Sequence, residues 1–303
     1  MNSRPRSVFT YPARVSDQLQ KADTGDGDDA VSTEFDVYFN LVKDYCFSFS
    51  KVIEDEIHRT FVPYLDSVSI YFAETIINRE FYHNGLRYGL MLPEDLLSIN
   101  SITFMDTLLT SSQYRLLDVS RNANGYPYRE IIFDSSGLPS WDVDFDSSID
   151  IVGEWGVQDN ESNAYSTVTT TAEALDATET VIDLAVDDGD LFEVYQYIRI
   201  DDELMLITTV TRNDSPTLDT ITVERGVNGF TAAIHADGAT ITRWNVVDDV
   251  RLLATRMVAY WYRKRSDAGE RVQVIDDALI IAEFSKELKA IAQRRQINKV
   301  GAV

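Results

Sequence analysis

The chain has 303 residues, more than one small core can serve and enough for two or three folded units. Hydrophobic residues make up 44%, and no apolar run approaches the roughly 20 residues needed to span a bilayer, so no membrane partner is expected. A net charge of −23 argues against binding nucleic acid on a broad basic face, because such binding needs cations that displace counterions from phosphates.

The N-terminus carries Arg4, Arg6 and Arg14 with no apolar core of a signal peptide. Residues 1–31 read as a flexible polar arm and linker, ending in Asp23-Thr24-Gly25-Asp26-Gly27-Asp28-Asp29. That acidic cluster lacks the spacing of a calcium loop. From Thr33 to Arg59, Tyr38, Val42, Tyr45, Phe49, Val52, Ile53 and Ile57 recur at three- and four-residue steps, which predicts an amphipathic helix capped at Thr33 and stopped by Pro63. Cys46, the one cysteine, lies in this apolar stretch and reads as a buried, inert thiol.

Residues 67–156 change to a period of two, as at Val68, Ile70 and Phe72, with turn signals at Asn84-Gly85, Asn124-Gly125 and Gly137. They predict a first β-domain, a small antiparallel sheet or sandwich, with a hairpin tip at Asn84-Gly85. Residues 157–245 predict a second, acidic β-domain. It holds seventeen Asp and Glu against four arginines and no lysine, a net charge of −13. Within it, Asp201-Asp202-Glu203 reads as a solvated turn. Successive strand residues face opposite ways, so the three carboxylates are not expected to converge on one site. From Glu224 to Ile241, an alternating run enters Arg225-Gly226-Val227-Asn228-Gly229, and a second strand leaves after Asp237-Gly238. Asn-Gly and Asp-Gly accept positive φ, so this segment reads as strand, structured loop, strand, with tight turns between. His235 is expected to order the loop by hydrogen bonding.

Beyond residue 246 the period is helical again. Val250, Leu253, Met257 and Tyr260-Trp261 form one stripe, and Ile280, Phe284, Leu288 and Ile291 a second. Residues 297–303 read as a tail. Lys286, Lys289, Arg294, Arg295 and Lys299 make this end locally basic, in part to suit a helix C-terminus.

The chemistry-bearing residues are sparse. His58, His83 and His235 are far apart, with no zinc spacing, no phosphate loop and no nucleophile–base motif. No enzyme activity, cofactor or metal is expected.

The run Arg225-Gly226-Val227-Asn228-Gly229-Phe230-Thr231-Ala232-Ala233-Ile234-His235-Ala236-Asp237-Gly238-Ala239 resembles a turn module of tailed-bacteriophage head–tail connector (adaptor, or head-completion) proteins. Leu90 to Thr103 is similar to their apolar run, acidic turn and strand, and Val152-Gly153-Glu154-Trp155-Gly156 to their Gly-x-Trp-Gly strand end. Arg251–Arg265 and Val274–Arg295 resemble their closing helices. Phe230 departs from the small residue usual there. The resemblance implies an α+β fold: a helical platform of residues 32–66 and 246–296, with the two small antiparallel β-domains inserted between its N- and C-terminal helices. It implies a virion protein, made in the host bacterial cytoplasm. About twelve copies would form a homo-oligomeric ring in the neck under the portal protein. That ring would face a tail terminator, stopper or other neck protein and touch genomic DNA only in transit. Arg294, Arg295 and Lys299 are the expected portal-docking residues. The alternative is a tail-tip, baseplate or fibre protein contacting a host surface or glycan through the Phe230-bearing loop.

Overall fold

The computed structural model describes residues 6–22, 30–71, 81–83, 87–118, 127–134, 148–159, 164–213, 217–267 and 277–295. The chain divides into two compact units. One is built from Met1–His58 with Tyr165–Gln296, the other from Arg59–Ala164. The sequence places the boundaries at 66/67 and 156/157 instead.

In the first unit, residues 6–11 are extended and lead into α1 (Pro12–Ala22), followed by α2 (Ala30–Ile57). The expectation of a flexible arm is corrected here over residues 6–22. Val8 and Phe9 of the extended segment are buried, and Val15 and Leu19, four residues apart on α1, share one buried face that an average over polar neighbours conceals. α2 starts ahead of Thr33, so the capping expectation at that residue is also wrong. It ends at His58, whose left-handed backbone (φ 59°) closes the helix before Pro63 is reached. The Asp23–Asp29 cluster lies outside the described residues.

The second unit is a seven-stranded antiparallel sheet of β1 (Tyr64–Tyr71), β2 (Phe81–His83), β3 (Arg87–Phe104), β4 (Thr107–Leu108), β5 (Tyr114–Asp118), β6 (Tyr128–Asp134) and β7 (Ser148–Trp155). Its order is β1-β7-β3-β6-β5, with β2 and β4 added to β3. Leu90, Ile102, Phe104, Phe133, Ile151 and Trp155 centre its core. β2 pairs back onto β3 from His83 opposite Tyr88; the Asn84-Gly85 tip lies outside the described residues, as do Asn124-Gly125 and Gly137.

The expected acidic turn within Leu90–Thr103 is instead part of one 18-residue strand. Its pairing shifts register between Met91 and Leu96, so the extra residues bulge rather than turn the chain back. Asp95 sits in the bulge, buried, with its carboxylate held by Arg59 (Nε–Oδ2 2.6 Å). Gly153 of β7 faces an adjoining irregularity, where a Cβ would lie 2.5 Å from the Ser98 carbonyl oxygen.

The first unit also holds a six-stranded antiparallel sheet: β8 (Tyr165–Thr170), β9 (Val181–Asp183), β10 (Tyr197–Ile200), β11 (Glu203–Thr211), β12 (Thr220–Glu224) and β13 (Thr240–Trp244). Its order is β8-β13-β10-β11-β12-β9. Five successive residues of β11, Glu203 to Ile207, are buried, so this strand is covered on both faces. Two helices close the described chain, α3 (Asp248–Asp267) and α4 (Asp277–Arg295). α2 touches α1, α3 and α4. The stripes seen in the sequence are the packed ones: Val250, Leu253, Met257 and Trp261 on α3, and Ile280, Phe284, Leu288 and Ile291 on α4, are all buried. Tyr45 stacks on Trp261 at 3.7 Å between ring centroids.

The expected fold class, a helical platform with two small inserted β-domains, is overturned. Thirteen strands stand against four helices among the described residues, and they form two extended antiparallel sheets. Each sheet has an apolar core cluster of its own, drawn from strands and the segments joining them. Sheets of this size bury enough apolar surface to be principal bodies of the fold rather than appendages of a helix bundle.

Candidate functional site

The turn module lies at one end of the six-stranded sheet, and the topology explains its length. β12 and β13 are not neighbours; β10 and β11 lie between them. Residues 225–239 therefore cross the end of the sheet and pass the Asp201-Asp202 turn that joins β10 to β11. The expected strand, structured loop and strand are present, and the loop is a crossover between non-neighbouring strands that caps a hairpin.

The crossing segment adopts left-handed conformations at Gly226 (φ 57°), Asn228 (54°) and Gly229 (86°), which bend it through a short 3₁₀ turn at Val227–Gly229. At Gly226 a Cβ would lie 2.9 Å from both the Phe230 carbonyl oxygen and the Ala232 nitrogen, so only glycine fits there. The chain then runs extended to His235, which exchanges backbone hydrogen bonds with Leu175 (2.9 and 3.0 Å). Gly238 (φ 75°) makes the last turn before β13.

A buried polar cluster holds the crossing down. Glu203, the first residue of β11, is fully buried at its side chain, and Arg225 is 6% exposed. Arg225 donates Nε to Glu203 Oε1 and Nη2 to Oε2, both at 2.7 Å. Its remaining donors reach the carbonyl oxygens of Ala233 (2.6 Å), Asp176 (2.9 Å) and Glu179 (2.6 Å). All five guanidinium N–H groups are thus used. Glu203 also accepts from the backbone N–H groups of Gly226 (3.0 Å) and Ala233 (2.9 Å). The His235 ring bridges two carboxylates, with Nε2 2.9 Å from Glu203 Oε2 and Nδ1 2.7 Å from Asp201 Oδ2. Burial pushes the Glu203 carboxyl up, but hydrogen bonds from Arg225, the Ala233 N–H and His235 outweigh it and hold the group below the usual carboxylate range.

The acidic trio is therefore not a uniformly solvated turn. Asp202 alone is fully exposed, paired with Arg199 at 3.2 Å. Asp201 and Glu203 lie two residues apart and converge on His235. Asp201 stands in the turn with a left-handed backbone (φ 50°), so strand alternation does not govern it, and no local pattern in the sequence ties Glu203 to the module.

The N-terminal segment adds a further tether, one with no sequence signal. The Arg6 backbone N–H donates to Asn228 Oδ1 (2.9 Å), and its guanidinium reaches Glu224 (2.7 Å) while lying 4.2 Å over the Phe47 ring. Tyr197, buried beneath, donates its hydroxyl to the Arg6 carbonyl oxygen.

Phe230 is buried at 8% exposed, so it is core and not a recognition residue; the exposed apolar side chain of the crossing is Ile234, at 77%. Arg294 and Arg295 are the last residues of α4. Their side chains, and all of Lys299, lie outside the described residues, so the three are not brought to any site here. Cys46 is fully buried and burial pushes its thiol up, which removes nucleophilic character. Among the described residues, no group of three or more His, Cys, Asp or Glu is arranged to hold a metal ion, and no helix is long and apolar enough to cross a membrane.

Comparison with protein-family models, curated proteins and solved structures gives no match for this chain.

Proposed function

We propose that this chain is a structural virion protein, a head-to-tail adaptor of a tailed phage. In this reading about twelve copies form a ring under the portal, with each subunit meeting a different face of its neighbour. The ring joins the capsid vertex to the tail and forms part of the DNA channel, where an acidic wall lets phosphates slide without sticking. The reading rests first on the resemblance of the Arg225–Ala239 module. The structural observation that best supports it is how that module is built. Its Arg, Glu and His groups are consumed in fixing one loop shape, and the shape presents Ile234 to solvent. A preorganised loop with an apolar tip suits a contact between protein surfaces. The basic end of α4, Arg294 and Arg295 with Lys299 beyond, is assigned to portal docking. The tail-tip, baseplate or fibre alternative gives recognition to the acidic β-domain and its Phe230-bearing loop; with the Phe230 ring buried, that loop would make its contact through Ile234 instead.

Native mass spectrometry of the chain, alone and mixed with portal rings from the same genome, tests the proposal. A ring-sized complex is expected with the portal, and Ile234→Glu is expected to reduce it. A monomer or trimer indifferent to the portal defeats the adaptor reading.

A further inference from the structure

The unit that contains the six-stranded sheet has a partly open cavity of about 90 Å³, away from the turn module's buried cluster. Three cationic residues line it: Arg14 of α1, Arg243 of β13 and Arg251 of α3. Tyr11, Tyr195 and Trp244 are also among its lining residues. In a chain of net charge −23, and with only four arginines between residues 157 and 245, three cations on one cavity run against the composition.

Their partners do not neutralise them. Arg251 pairs with Asp248, whose side chain is 86% exposed. Arg14 donates to the Tyr11 hydroxyl at 3.3 Å and lies 5.2 Å over the same ring. Arg243 donates to the Leu191 carbonyl oxygen at 3.2 Å. Among the described residues, one carboxylate thus answers three guanidiniums, leaving about two positive charges at the cavity. Arg14 and Arg251 also oppose each other. Burial first, then the neighbouring Arg14, pulls Arg251 below the ordinary arginine range, an opposition that a bridging anion relieves. Asn245 and Val246, which also line the cavity, lead into the first turn of α3, whose N–H groups add positive potential that Asp248 and Asp249 of the same turn offset in part.

We propose that this cavity binds a phosphate group. A dianion matches the two unanswered charges, and the planar forks of Arg14 and Arg243 suit its oxygens. A water molecule needs only about 10–15 Å³ of such space, so the cavity takes a phosphate with room for part of a carrier. Tyr11, Tyr195 and Trp244 in the lining are the residues such a carrier would meet. The ligand is inorganic phosphate or a small phosphomonoester, and the inference does not depend on the adaptor reading.

Phosphorus NMR line broadening and calorimetry on the full chain, at pH 7.5 and low salt, test this. The probes are inorganic phosphate, phenyl phosphate and methanesulfonate. Saturable phosphate binding is expected with a Kd of about 1 mM or tighter. Arg14→Gln and Arg243→Gln are each expected to weaken it about tenfold or more. Phenyl phosphate binding tighter than inorganic phosphate identifies a monoester held by the rings; equal affinity identifies free phosphate. Methanesulfonate, a monoanion of similar shape, is expected to bind about tenfold more weakly than phosphate, and this arm needs no variant. No saturable binding by the wild-type chain, equal affinity for methanesulfonate, or affinity unchanged in both variants overturns the proposal.

Discussion

Each of the two units buries an arginine against a carboxylate on its sheet, and the two pairs are built to different standards. At the end of the six-stranded sheet, Arg225 meets Glu203 in a two-point fork and gives its remaining donors to three carbonyl oxygens. In the seven-stranded sheet, Asp95 makes its close contacts with Arg59, while Arg129 Nη1 stands 3.6 Å from Asp95 Oδ2, too far for a hydrogen bond. Arg129 Nε is buried with no hydrogen-bond partner among the described residues. Burial pushes the Arg129 guanidinium below its ordinary range; Asp95 offsets this only in part, and Arg59 adds repulsion. The desolvation cost of a buried charge is recovered only when its hydrogen bonds are complete. The first pair therefore holds a loop in place, whereas the second mostly fills space behind a bulge.

The largest expected effect is at the complete pair. Arg225→Met leaves Glu203 buried without its counter-charge and frees three carbonyl oxygens, a loss of about 3–5 kcal/mol. Hydrogen exchange read peptide by peptide separates the two sheets. Protection is expected to fall across β10 to β13 and to hold in β3, β6 and β7. A loss under about 1 kcal/mol in β10 to β13 would mean the cluster does not clamp the crossing.

A smaller, graded effect is expected along the crossing itself. Gly226→Ala combines a left-handed backbone with a clash against two backbone atoms, and about 1–3 kcal/mol is expected. Gly238 has a similar φ of 75°, but a Cβ there meets nothing within 4 Å. Gly238→Ala therefore carries only the conformational cost, about 1 kcal/mol. Thermal melts of the two variants, side by side, test the ranking. Equal losses would show that backbone conformation alone decides, and that the close approach at Gly226 relaxes freely.

The same contrast explains what the sequence revealed. Residues whose environment is set by near neighbours were legible. The stripes of α3 and α4 are packed as their spacing implies, and positive φ falls at Gly226, Asn228, Gly229 and Gly238. Pairings across long sequence separations were not legible. No local pattern ties Arg6 to Asn228, or Arg59 to Asp95. The crossing of β10 and β11 is a property of strand order, which periodicity does not carry. β3 was misread because Pro93-Glu94-Asp95 has turn chemistry; the neighbouring strands keep it extended by absorbing the extra residues as a bulge. The helical-platform expectation failed for a related reason. Amphipathic stripes are strong local signals, whereas the size of a sheet depends on how many short strands find one another.

The smallest expected effect is the sharpest test of the contrast. Arg129→Met keeps the volume and apolar stem of the side chain while removing a guanidinium whose Nε has no partner. It leaves Asp95 with its bonds to Arg59. Replacing a poorly satisfied buried cation by a well-packed apolar group is close to neutral, so a change within about 1 kcal/mol of either sign is expected in the exchange of β6 peptides. The substitution matches the one at Arg225 in kind, so the difference between the two losses isolates what hydrogen-bond completeness contributes. A loss of about 3 kcal/mol or more at Arg129 would make the two pairs equivalent. Asp95 would then need both arginines, and the bulge in β3 would be clamped as firmly as the crossing.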